Sequence, residues 1–263
     1  MINSILLKQN IYLTCELYDL IRLVTKKYKI EMSSYGLIEE IICTITNTAT
    51  TMTQDSFNLI NIFLQGDSLT NEDPANIATY LKTLNSIVCI FHQVNYQDFP
   101  EFFEDNLQDW MKILLAFINL NLPANFLTDR NISRLYLKLK TKTLRALNLY
   151  CNSYYEDFVE YHDNFIEPVW NMLVMTKSDE IFFKLTKELL DYFKILFNCN
   201  RLPSNFNIPQ ITKHITENLI IPNMKMTSKD LDDFEENPIS FLKVEFEEVD
   251  MDSSKFLFLI QFP

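Results

Sequence analysis

Apolar residues recur along this chain at steps of three and four. Leu81, Leu84, Val88 and Phe91 step by three, four and three, and Phe158, Phe165, Val169, Met172 and Leu173 keep to one face. That is the period of an amphipathic helix with one side in a core. Ile181, Leu185, Leu189, Tyr192, Phe193 and Leu196 draw the cleanest stripe. The polar residues between them, Lys184, Lys187 and Glu188, are expected to face water. Leu135, Leu139, Ala146 and Leu149 predict a further helix, with Lys138, Lys140, Lys142 and Arg145 on its other faces.

Breaks fall between these stripes. Gly66-Asp67-Ser68 followed by Asn71-Glu72-Asp73-Pro74 reads as a loop, and Asp73 before Pro74 reads as a helix start. Pro100, Pro123, Pro203, Pro209, Pro222 and Pro238 are expected between helices, while Pro168 falls inside a periodic run and predicts a kink or a start. The chain is therefore expected to be all-α, a string of antiparallel helices of about 15–20 residues each with no strand. A solenoid of HEAT or armadillo units, about 40–47 residues apiece, would repeat roughly six times in this length. Periodicity alone leaves a single helical bundle as the other solution, since both use amphipathic helices.

Composition narrows what such a fold can do. The 263 residues are 48% hydrophobic and 13% aromatic, enough to build a core and too apolar for wholesale disorder. Only Gly36 and Gly66 are glycine, which excludes the glycine-rich phosphate loops and disfavours tight β-hairpins. A net charge of −12 argues against nucleic acid and for basic protein partners. Cys15, Cys43, Cys89, Cys151 and Cys199 are far apart, odd in number and never in a metal-ligating spacing, so buried reduced thiols are expected. His92, His162 and His214 form no pair, and His162 sits in a polar stretch that suggests solvation or capping. No nucleophile elbow is present and no apolar run reaches 18 residues, so no catalytic residue, metal ligand, cofactor or membrane span is expected.

Two segments stand out. Asn95–Asn106, reading NYQDFPEFFEDN, crowds rings and carboxylates around a proline, with Trp110 one turn later. It predicts a packed corner between two helices, with Phe99, Pro100, Phe102, Phe103 and Trp110 inside and Glu101, Glu104 and Asp105 in water. Trp170 is expected to wedge between helices in the same way. Residues 229–252, KDLDDFEENPISFLKVEFEEVDMD, alternate acids with apolar residues. They read as an insert-like amphipathic element whose acids, Asp230, Asp232, Asp233, Glu235 and Glu236, would meet a Lys/Arg-rich partner. A solvated loop held down by its apolar residues is the alternative.

These segments also carry a resemblance. The NYQDFPEFFEDN run with Trp110 resembles a signature of the CAS (exportin-2) family, within the importin-β superfamily. Tyr154–Phe158, then Phe165 and Val169–Val174, resemble the next family helix pair, and Ile220–Met224 with Asp232–Asn237 the one after. Pro222 and Asn223 fall in that third block as anchors. Weaker similarity runs through Leu20–Lys29. The resemblance implies a HEAT-repeat α-solenoid of antiparallel helix pairs over residues 1–263, serving as a non-catalytic export receptor for importin-α. It implies Ran-GTP as co-partner, contact with nuclear pore proteins, and shuttling between nucleus and cytoplasm. The chain looks like an internal piece of that family, without counterparts of the N-terminal repeats, where the superfamily typically engages Ran, or of the long C-terminal remainder. The family's basic positions after Phe241-Leu242 are reduced to Lys243, and the closing residues 256–263, FLFLIQFP, do not match. A generic HEAT adaptor and a truncated, inactive fragment are the other expectations.

Overall fold

The computed structural model describes residues 11–28, 37–64, 72–96, 99–176, 180–199, 201, 208–223, 226 and 228–246. Among them there is no strand. The chain divides into two compact units, residues 1–169 and 170–263.

In the first unit, α1 (Ile11–Tyr28), α3 (Pro74–Val94) and α7 (Arg130–Ser153) stack side by side. The long α2 (Leu37–Leu64) packs on α3 and on α5 (Leu107–Asn119), and α5 packs on α7. Short α4 (Glu101–Asp105) and α6 (Ala124–Leu127) make the corners, and α8 (Tyr155–Met175) follows α7. Each helix has a stripe facing its neighbours, so the core runs between rows of helices: Leu81, Leu84, Val88 and Phe91 are all sealed from solvent. This stacking of helix on helix is the arrangement of an α-solenoid.

Helix starts follow local chemistry. The Asp73 carboxylate accepts the Ala75 N–H at 2.9 Å with Pro74 in the first turn. Asp129 does the same for Asn131 and Ile132 at the head of α7.

The second unit starts inside α8, at Trp170. A 3₁₀ turn (Glu180–Phe182) leads into α9 (Phe183–Asn198), and α10 (Ile208–Ile215) continues through a π-helical turn (Thr216–Ile220) into α11 (Ile221–Asn223). Then come α12 (Ser228–Glu236) and α13 (Pro238–Phe246). Leu185, Leu189, Tyr192, Phe193 and Leu196 are buried as their spacing demands, while Ile181 lies in the 3₁₀ turn and is exposed.

Several expectations need correcting. Pro222 does not separate two helices: it sits in the continuous run 208–223, directly after the π turn. Proline has no N–H to donate back one turn, and a π register offers a way through that gap. Pro209 likewise lies in the first turn of α10, and α8 runs through Pro168 rather than starting there. Lys140, Glu188 and His162 are buried instead of solvated. His162 packs edge-on to Tyr155 and Phe158, ring centroids 5.6 and 5.9 Å away. Of the cysteines, Cys15 and Cys151 are buried, Cys89 is half-buried and Cys199 is exposed.

One buried acid makes a prediction. Asp55 of α2, 3% exposed, accepts the Tyr18 hydroxyl of α1 at 2.7 Å, while its Oδ1 meets no donor among the described residues. Burial pushes its carboxyl up to about 6, more than the Tyr18 hydrogen bond pulls it down. The folded state therefore holds a proton that the unfolded chain releases near pH 4. Stability from this group is present below that point and is lost as pH rises through 6. Asp55→Asn is expected to flatten this fall and to gain about 1–2 kcal/mol at pH 7, measured by urea unfolding across pH 4–7.

Candidate partner-binding surface

The acidic segment folds as two short helices meeting at Asn237. The Asn237 N–H closes α12 onto the Asp233 carbonyl at 3.1 Å, and its side-chain Oδ1 accepts the Ser240 N–H at 3.1 Å to open α13. Pro238 at the first helical position suits that start. Phe234 and Phe241 meet edge to face, centroids 5.7 Å apart, and tie the two helices together.

Asp232, Asp233, Glu235 and Glu236 are exposed and Asp230 is half-buried. Beside them Leu231 and Leu242 are more than two-fifths exposed, and Ile239 is 70% exposed. Carboxylates and apolar side chains thus share one small surface. Chemically it can pair with lysine or arginine at its rim while seating an apolar group. Residues 247–252 of the insert-like segment and the 256–263 tail lie outside the described residues.

The aromatic corner is interior by contrast. Pro100 caps α4, with the Phe103 N–H on its carbonyl at 2.8 Å, and Asn106 links α4 to α5 through its amide on the Phe102 carbonyl at 2.8 Å. Trp110 is fully buried and stacks on Phe91 at 4.4 Å. Phe103 is buried edge-on to both rings, at 5.4 and 5.5 Å. Half-buried Phe99 reaches Tyr150 and Tyr154 of the α7–α8 corner at 5.5 and 5.1 Å. Phe102 and Pro100 are half-buried, and Glu101, Glu104 and Asp105 face water.

The corner is pinned by Asn95, which periodicity did not single out. It is wholly buried; its amide donates to the Phe91 carbonyl at 2.7 Å, its Oδ1 accepts the Tyr150 hydroxyl at 3.3 Å and its carbonyl accepts that of Tyr154 at 2.8 Å.

Trp170 is half-buried, edge-on to Phe193 of α9 and to His214 of α10 at 5.8 and 5.4 Å. Pro222 is half-buried, and the side chain of Asn223 lies outside the described residues. Among the described residues, no cluster of three His, Cys, Asp or Glu could hold a metal ion, and no helix is long and apolar enough to cross a membrane.

Known proteins resemble this arrangement. A family model described as Cse1 matches residues 24–256. Exportin-2 of Drosophila melanogaster is 25% identical over 230 residues, which are 88% of this chain and 23% of that protein. Human exportin-2 is 26% identical over the same shares. The solved structure described as the exportin Cse1 in its cargo-free, cytoplasmic state matches 94% of this chain and 26% of that chain, with a TM-score of 0.77 at 21% identity. The fold is thus the HEAT-repeat solenoid that the resemblance implied. The chain spans about a quarter of the length of these relatives.

Proposed function

The chain belongs to the Cse1 family, and from that membership we propose that it is a segment of a nuclear transport receptor that binds importin-α together with Ran-GTP. The observation that carries this reading is the family match across residues 24–256. The all-α stack supports it, since a solenoid lays side chains from successive helices along one extended partner surface and needs no catalytic group. On this reading the chain is not an enzyme, shuttles between nucleus and cytoplasm, and meets nuclear pore proteins on the way.

Within that role the α12–α13 hairpin is the surface we assign to a basic partner. Its exposed carboxylates steer and select lysine and arginine, and its exposed Leu231, Ile239 and Leu242 add the apolar contact that holds them. The quadruple variant Asp232→Lys, Asp233→Lys, Glu235→Lys, Glu236→Lys is expected to weaken importin-α and Ran-GTP binding by about tenfold or more. Thermal unfolding should be almost unmoved, because these side chains are exposed. The check is titration of labelled importin-α at fixed Ran-GTP; wild-type affinity in the variant would remove the hairpin from the interface.

A further inference from the structure

We propose that the α1–α3–α7 row carries a cationic site for an acidic peptide segment, with Arg22, Lys138 and Lys142 as its carboxylate-binding groups. Three helices supply it. From α1, Arg22 donates Nε to Asp19 Oδ1 at 2.8 Å, one turn back on the same helix. From α3, Ser86 Oγ lies 3.5 Å from that same oxygen. From α7, Lys142 crosses to α3 and donates Nζ to the Asn85 carbonyl at 3.1 Å, with the Cys89 thiol hydrogen-bonded beside it. Lys138, one turn earlier on α7, is exposed and close enough to act on both Asp19 and Lys142.

The balance of charge is what needs explaining. Arg22, Lys138 and Lys142 set three cations against the one carboxylate of Asp19, an excess of two positive charges in a chain whose net charge is −12. Farther along α1 and α3, Glu16 and Lys82 act on Cys15 in opposite directions. Lys142 is half-buried, and burial lowers its pKa; the Cys89 thiol beside it pulls the other way, and the charges of Lys138 and Arg22 lower it further.

A purely structural role, α7 stapled to α3, accounts for the Lys142–Asn85 bond. It does not account for Arg22 and Lys138 gathered around a lysine they repel. A ligand carboxylate would relieve that repulsion and restore charge to a desolvated amine. The Arg22 fork has donors beyond Nε for a bidentate grip. Because the cations are spread over successive helices rather than gathered at one point, they fit an extended acidic segment of a partner protein better than a single phosphate.

The test is fluorescence anisotropy on the whole chain with a labelled Glu-rich peptide, a Lys-rich peptide of equal length and a singly phosphorylated serine peptide. Arg22→Gln with Lys138→Gln should weaken the Glu-rich peptide about tenfold, with the remaining binding fading as salt rises. Lys184→Gln with Lys213→Gln removes the same charge from exposed positions of the second unit, and should change affinity by no more than about twofold. Charge-preserving Lys138→Arg should stay within about threefold of wild type. Equal losses in the two glutamine variants, loss of binding in the charge-preserving variant, or tighter binding of the phosphopeptide would each overturn the proposal.

Discussion

Trp110→Ala is expected to cost about 3–5 kcal/mol of folding stability, the largest single effect in the chain. The indole is fully buried at the head of α5 and stacked 4.4 Å from Phe91, with Phe103 edge-on. Phe91 also stacks on Tyr150 at 5.7 Å, so one ring contacts the products of α4, α5 and α7. Removing the indole leaves a cavity lined by rings that Asn95 and its two tyrosines hold in place, so little collapse can fill it. Among the described residues the Trp110 Nε1 has no hydrogen-bond partner, so the loss is one of packing and not of a polar contact. Trp170→Ala serves as the comparison: that ring is half-buried, and a loss of about 1–2 kcal/mol is expected. Chemical denaturation of both variants measures the difference directly. Similar losses for the two would mean the NYQDFPEFFEDN corner is not the packing centre of the first unit.

Lys140→Met is expected to cost about 2–4 kcal/mol, although it replaces a 4% exposed lysine with an apolar residue of similar length. Lys140 Nζ reaches from α7 to the end of α5 and donates to the Ile118 and Leu120 carbonyls, at 2.5 and 2.6 Å. These are the carbonyls a helix C-terminus leaves without an internal partner. The Tyr136 hydroxyl also donates to Leu120, at 2.7 Å, and its ring lies 5.1 Å from the amine. Methionine fills the space but abandons the Ile118 carbonyl in a dry site. Burial lowers the Lys140 pKa from 10.5 to about 7, and a neutral amine still has the two N–H donors that two carbonyls require. The folded state gives up this proton near pH 7 while the unfolded chain keeps it to about 10. The lysine's contribution to stability therefore grows as pH rises through that window. Urea unfolding from pH 6.5 to 9.5 should show that rise in the wild type and a flatter profile in Lys140→Met.

Register explains what the sequence made legible and what it hid. Leu81 through Phe91, and Leu185 through Leu196, were readable because apolar residues occupied the inward positions. Lys140, Glu188 and His162 were misplaced for one shared reason: their chemical type suggested water while their spacing pointed inward. Lys140 is four residues after Tyr136, Glu188 is three after Leu185, and His162 is four after Phe158. The partners of Lys140, the Ile118 and Leu120 carbonyls, lie at the end of another helix far away in sequence, and no local pattern shows them. Pro222 was hidden differently. A proline normally ends a helix, and the π turn that carries the chain past it has no clear signature in Thr216–Ile220.

The proposed binding surface was legible only as composition. The alternation of acids with Leu231, Phe234, Phe241 and Leu242 suggested an amphipathic element, and the Phe234–Phe241 contact is what turns it into a hairpin with both kinds of side chain outward. The basic site across α1, α3 and α7 was invisible, because Arg22 and Lys142 come from helices more than a hundred residues apart in a chain that is acidic as a whole.

The central claim is that the chain acts as a segment of a Ran-controlled importin-α export receptor. Its most direct test is isothermal titration of importin-α into the whole chain, with Ran loaded in turn with GTP and with GDP. The account predicts heat of binding with Ran-GTP and none, or at least tenfold weaker binding, with Ran-GDP or without Ran. Equal affinity for importin-α in all three conditions would contradict it and leave a nucleotide-independent HEAT adaptor.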